Sequence, residues 1–332
     1  MDPKENLYAA IFHKTPEWVP CPMVDGSWRV VLHGLNERPE KEAGYDEWGV
    51  HWDIREESEG GSFPDKHPLT DPEQVKDLQV PDPDKDGFLD PAKKGIESID
   101  RDTALVFADN GWGLFERSWL LAGMDNLMVW MIQEPEAVEM LMDKILKIKL
   151  RITERFIKEI EVDGIMYGDD WGGETSIMMG PELWRRFIKP RQKKLYDICR
   201  ENDVIVRQHS DGHTEEIFED LVEIGLNVLN PLQPQCNDVE KAREKVGSKL
   251  AFHGAVSSRL LDMGKPEEIR DNVRLRIEQL AADDGGYIVA PAHAFNYPEE
   301  NIMAFREAAV ECGRIPEQWC REYGVDKTDV EV

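Results

Sequence analysis

Short apolar runs recur along this chain, and each closes in a cluster of polar residues before a segment of helical periodicity begins. The run at 103–108 ends in Asp109-Asn110-Gly111-Trp112-Gly113, and the run at 164–168 in Asp169-Asp170-Trp171-Gly172-Gly173. Residues 204–206 lead into Gln208, His209, Ser210, Asp211 and Gly212. Further runs at 227–230, 250–253 and 287–290 end in NPLQP, FHGAV and PAHAFNYP. An earlier one, 19–24, ends at Asp25-Gly26-Ser27-Trp28. These seven read as buried strands. Helices are predicted at 4–14, 116–121, 135–161, 181–202 (kinked at Pro190), 214–224, 238–245, 266–281 and 298–312. The longest places Val138, Leu141, Ile145, Ile148, Ile152, Phe156 and Ile160 on one wide apolar face, with Pro135 in its first turn.

Strand-then-helix alternation implies a parallel sheet. The count and length favour a single (β/α)8 TIM-type barrel spanning residues 1–332, with one strand hidden in the loop-rich N-terminal third; a doubly wound open sheet is the runner-up. Residues 37–95 carry two dense stretches of turn formers, SEGGSFPDKHPLTDP and QVPDPDKDGFLDP, and read as an irregular excursion. Within it YDEWGVHWD, at 45–53, reads as a short strand, as cover over a cavity, or as a satellite hydrophobic cluster. No GxGxxG follows a strand and no GxxxxGK[ST] occurs, which argues against nucleotide cofactors.

Composition narrows the partners. Sixty-seven acids against forty bases leave a formal charge of −27, which repels nucleic acid and anionic membranes. No apolar run approaches a membrane span, and the first residues read as a charged helix rather than a signal peptide. Five cysteines without paired spacing point to a reduced, cytoplasmic protein.

In a parallel barrel the strand ends meet at one mouth, which gathers Asp25, Trp28, Asp109, Asp170, Trp171, His209, Asp211, Asn230, Gln233, His253 and His293. His209 and Asp211, two apart on extended backbone, point to one side, where they can bind a metal or share a proton; alternatively Asp211 caps the next helix. Of the pair Asp169-Asp170, one can enter the pocket while the other serves structure. Asp170 is the candidate acid, joined by His209 and His253 as catalytic candidates. Trp28, Trp112 and Trp171 are candidates to wall a methyl or cationic group, with Asp25, Asn230 and Gln233 as further substrate contacts.

The ordered segments DDWG, SIMMGPELWRRFIKPR, HSDG, NPLQP, FHGAV and GGYIVAPAHAF resemble the uroporphyrinogen decarboxylase superfamily, in its methyltransferase-like branch. The resemblance covers roughly residues 4–312 and implies a barrel with its site at the strand C-termini. Two departures matter. The arginine-bearing N-terminal stretch of true decarboxylases reads PCPMVDGSW here, with only Arg29 nearby, which speaks against a polycarboxylate tetrapyrrole substrate. The HxCG zinc motif of the methyltransferases reads His209-Ser210-Asp211-Gly212, and their later cysteine falls on His293. The resemblance therefore implies a metal triad of His209, Asp211 and His293, with zinc, Fe(II) or Mn(II) as the ion. It further implies methyl transfer between a small methylated compound and a corrinoid on a partner protein. A metal-assisted lyase or decarboxylase acting on a small carboxylate, and a non-catalytic corrinoid or small-molecule binder, are the alternatives.

Overall fold

The computed structural model describes residues 1–39, 42–54, 62–293 and 296–321. Strands follow in chain order as β1 (Trp28–Val31), β2 (Gly44–Tyr45), β3 (His51–Ile54), β4 (Ser62–Lys66), β5 (Leu105–Trp112), β6 (Gly164–Gly168), β7 (Ile205–His209), β8 (Val228–Asn230), β9 (Ala251–Val256) and β10 (Tyr287–Pro291). Seven of them pair in parallel in the order β1-β5-β6-β7-β8-β9-β10. The sheet curls into an α/β barrel of the TIM type. Its interior is packed by one residue or more from every strand: Trp28, Leu105, Phe107, Met166, Ile205, Val228, Ala251 and Ile288. Leu7 and Ile11 of the first helix, Pro3–Ile11, join the same cluster. That helix starts at a capping box in which Asp2 accepts from Glu5 N–H and Glu5 reaches back.

The strand expected at 19–24 does not form. Pro20 and Pro22 have no N–H to donate, so this segment cannot complete a ladder. Val289 N–H still reaches the Pro20 carbonyl at 3.0 Å, while Pro22–Asp25 makes a helical turn closed by Gly26 at φ +64°. Regular pairing begins only at Trp28. Among the described residues no eighth strand joins the sheet.

The N-terminal excursion holds a three-stranded antiparallel sheet, β2-β3-β4, that periodicity did not reveal. YDEWGVHWD supplies β3, and its Trp48, Val50 and Trp52 share the main core with Leu69 and Val75 rather than forming a satellite. Two buried acids tie it down. Asp46 accepts from Arg117 Nη1 at 3.0 Å and from Trp52 Nε1 at 3.1 Å. Glu37 accepts from Arg117 Nη2 and from Lys149 Nζ, both at 3.2 Å.

The longest helix runs α-helically over Pro135–Arg155 and then widens to an i→i+5 turn over Phe156–Ile160. Its predicted face is buried as read, with Val138, Leu141, Ile145 and Ile152 fully inaccessible. Lys149 sits in that face because Glu37 and the Asn110 carbonyl receive its ammonium. Ile145→Ala should cost about 2–5 kcal/mol through lost methylenes and the cavity left behind. Urea unfolding reads this, and a change near zero would place the face outside the core. A second wide turn, Trp184–Ile188, precedes Pro190 in the helix at 181–200, where the missing N–H and the proline ring disturb regular winding. A further helix, Met124–Gln133, was not expected. All five cysteines are free, and no described helix is long and apolar enough to cross a membrane.

Candidate active site

Two glycines set the site. Gly212 takes φ +81°, a left-handed conformation that favours glycine, and a Cβ there would lie 2.4 Å from the Gly172 backbone. Gly172 is equally constrained, since its Cβ would meet the Asp211 carbonyl at 2.4 Å. The loops after β6 and β7 can therefore lie back to back. They are stitched by Gly172 N–H to the Asp211 carbonyl at 3.2 Å and His213 N–H to the Gly173 carbonyl at 2.7 Å. This closeness brings Asp170 to Asp211: its Oδ1 accepts from Asp211 N–H at 2.8 Å.

Asp170, His209 and Asp211 present one ligand atom each, all within 4.8 Å of one another. His209 Nδ1 lies 2.9 Å from Asn230 Oδ1, and Asn230 Nδ2 lies 2.6 Å from His253 Nδ1. An amide oxygen can only accept, so Nδ1 of His209 carries a proton and its Nε2 is left facing the acids. Nε2 is 3.5 Å from Asp170 Oδ1 and 3.7 Å from Asp211 Oδ1. Asp211 Oδ1 is buried without a hydrogen bond, while Oδ2 meets His293 Nε2 at 2.8 Å. The second ring nitrogen of His293 lies 3.1 Å from Ser258 Oγ. The compact cluster thus holds Asp170 in the place expected for His293, which supports Asp211 from behind.

Charge follows burial. Burial raises the Asp170 carboxyl, with Asp211 adding to the rise and His209 opposing it. Although burial works against it, Asp211 is held below the ordinary value by His293 and His209. Glu116, which was not among the expected site residues, is raised well above the usual range by burial and then by Asp170 and Asp169. His253 is pushed well down by burial, Arg207 and His209, so it is a neutral acceptor.

A cavity of about 390 Å³ opens at this mouth, lined by Trp112, Glu116, Met166, Asp170, His209 and the excursion's Glu37 among others. Its size suits a small molecule. Trp112 walls it and is stacked on Trp52, with ring centroids 5.0 Å apart.

Asp169 is the structural member of its pair, and several expected site residues also lie outside the cavity. Asp169, pushed up to about 6 by burial, caps the helix Leu114–Ala122 through Phe115 and Glu116 N–H and accepts from Trp171 Nε1. Trp171 is fully buried against Trp184, so it offers no wall to a ligand. Asp25 is saturated by Trp18 Nε1, Cys21 N–H and Ser27 N–H, a local structural role. Trp28 lies inside the barrel, edge-on to His253 at 4.7 Å, below the mouth cavity. Gln233 Oε1 accepts from Gly212 N–H and its amide nitrogen lies 3.3 Å from His293 Nε2, which makes it a brace of the loop. Gln208 faces outward to Gln192 and Tyr196.

A parallel barrel whose strand ends gather acids and imidazoles around a small cavity defines a TIM-barrel enzyme. Its sequence profile is more particular: residues 46–312 match Uroporphyrinogen decarboxylase (URO-D), and the chain belongs to that family. The uroporphyrinogen decarboxylase of Escherichia fergusonii is 26% identical over 285 residues, covering 80% of this chain and 74% of that protein. That of Proteus mirabilis is 25% identical over 252 residues, covering 73% and 65%. Among solved structures, a methyltransferase from Methanosarcina mazei superposes with a TM-score of 0.70 over 94% of this chain and 99% of that one. At 18% identity this is a likeness of fold.

Proposed function

We propose that this chain transfers a methyl group between a small methylated compound and a corrinoid carried by a separate protein, with a divalent metal at the mouth. The observation that carries the reading is the convergence of Asp170, His209 and Asp211 with one buried carboxylate oxygen left unpaired. The donor set fits a first-row ion: two carboxylates and an imidazole suit zinc, Fe(II) or Mn(II). Such an ion would polarise the heteroatom that gives up or receives the methyl group, while the corrinoid cobalt serves as the methyl carrier.

The chain's own part is positional. Asn230 and His253 hold His209 in the tautomer that presents Nε2. His293, braced by Ser258, holds Asp211. Trp112, Met166 and Leu35 give the cavity an apolar wall against which a methyl group can lie. The cavity opens outward, where a partner protein can approach.

Decarboxylation of a small carboxylate is the second reading, favoured by the family itself. One assay separates the two. Metal-loaded protein is incubated with reduced cobalamin and a panel of methyl ethers and methylamines, and both corrinoid methylation and released carbon dioxide are followed. Methylation that stops on chelation and returns with added zinc, iron or manganese is expected. Carbon dioxide release without methylation would replace the proposal by the decarboxylase reading, and neither product would leave a binder.

A further inference from the structure

Arg207 is buried with two donor atoms that no group among the described residues satisfies. On β7, Val206 and Gln208 face the helices, so Ile205, Arg207 and His209 face the barrel interior. Arg207 stands in register with Met166 on β6 and Val228 on β8, one layer below His209. Its side chain is 1% exposed. Among the described residues no carboxylate lies within ion-pair distance of it, and both Nε and Nη1 lack any hydrogen-bond partner. What it has is Nη2 at 3.3 Å from His253 Nδ1 and the Trp28 ring at 5.3 Å. Neither neighbour carries negative charge, and the acid that acts on it, Asp109, does so from beyond ion-pair distance. Elsewhere this chain pairs its buried cations: Arg117 has Glu37 and Asp46, and Lys149 has Glu37. A buried guanidinium stays protonated at neutral pH, and burying it unpaired is costly. An unsatisfied buried donor of this kind calls for a partner that the protein itself does not supply.

We infer that Arg207 is the anchor for a carboxylate on the substrate, so that the methyl-bearing compound is an organic acid. A carboxylate is the group that a guanidinium fork matches in shape and charge. The path is short: Met166, the register partner of Arg207, and His209 above it both line the mouth cavity. An acid entering there would direct its carboxylate inward to Arg207 and leave its other end beside Asp170, His209 and Asp211. Two residues of extended strand separate the levels of His209 and Arg207, about 7 Å. That span selects an acid whose reacting atom is separated from the carboxylate by a short chain or one ring. The inference deepens the methyl-transfer reading by naming a substrate class, and the same anchor would serve a small carboxylate in the decarboxylase reading.

Binding tests it without turnover, so its failure leaves methyl transfer standing, and the failure of methyl transfer leaves it intact. Calorimetry on the metal-loaded protein compares benzoate with benzamide, a neutral probe of nearly the same shape. Benzoate should bind at least about tenfold more tightly, the scale of one charge-assisted contact. Arg207→Met should erase that preference, leave metal content unchanged, and keep or raise the thermal midpoint, because an unpaired buried charge has been removed. A structural arginine would behave in the opposite way: the variant would lose stability and keep the preference for benzoate, and that result would overturn the inference. Chloride or phosphate competing as well as benzoate would equally overturn it in favour of an inorganic-anion site. Should Arg207→Met fail to fold, Arg207→Lys carries the test. It keeps a cation without the fork, so weakened benzoate binding is expected and unchanged binding refutes the assignment.

Discussion

Asp211→Ala should strip the metal from the protein and lower turnover by on the order of 10³-fold, the scale on which losing a preorganised electrostatic element slows a reaction. The substitution removes both the unpaired Oδ1 and the acceptor of His293, and leaves only Asp170 and His209 of the three groups proposed to hold the ion. Elemental analysis reads the metal, and the corrinoid assay reads turnover. His293→Ala should act more gently. Asp211 keeps its carboxylate but loses its brace, so metal affinity should fall by about 10–100-fold and recover when metal is added in excess. The alternative is a proton-handling cluster of His209, Asp211 and His293. Wild-type protein that holds no stoichiometric metal, and an activity indifferent to chelators, would decide for that cluster.

Glu37→Gln should destabilise the fold by about 3–5 kcal/mol at neutral pH, because it leaves the cations of Arg117 and Lys149 buried with less to compensate them. The pH dependence has a definite sign. Burial opposes ionisation of Glu37, but Lys149, Arg117 and His33 prevail and hold its carboxyl down at about 2, against an ordinary 4.5. A depressed folded-state value means that the contribution is complete above about 4.5 and is lost as the pH falls towards 2. The shift is worth on the order of 3 kcal/mol. Denaturant unfolding at pH 7 and again near pH 3 should therefore show the gap between wild type and Glu37→Gln narrowing as the solution is acidified. A gap that stays constant would mean that the network is held by hydrogen bonding rather than by charge. Since Glu37 also lines the cavity, the variant links the anchoring of the excursion to the shape of the site.

Much of this architecture is written along the chain. Six of the seven expected strands appear where apolar runs met polar ends, because a buried parallel strand must be apolar on both faces and can be polar only where it emerges. The helices after them announced themselves by their periodicity, and the long one buries the face that was read from it. The same local logic placed His209, Asp211, Asn230 and His293 at strand ends. What it could not do was say which way those residues turn. Asp169 and Asp170 are adjacent and chemically alike; only the helix start at Phe115 and Glu116 takes one of them, and only the Gly172–Gly212 contact delivers the other to Asp211. Asp25 and Trp171 looked available until Trp18, Cys21 and Ser27 filled the first and Asp169 and Trp184 enclosed the second. Glu37 lies 80 residues from Arg117 and 112 from Lys149, a pairing that no local pattern contains. Arg207 follows an apolar run, and in a strand buried on both faces alternation does not tell inside from outside. Curling of the sheet around Trp28, Phe107 and Met166 put that charge in the interior, and the lack of an ion-pair partner for it among the described residues is a property of the assembled barrel alone.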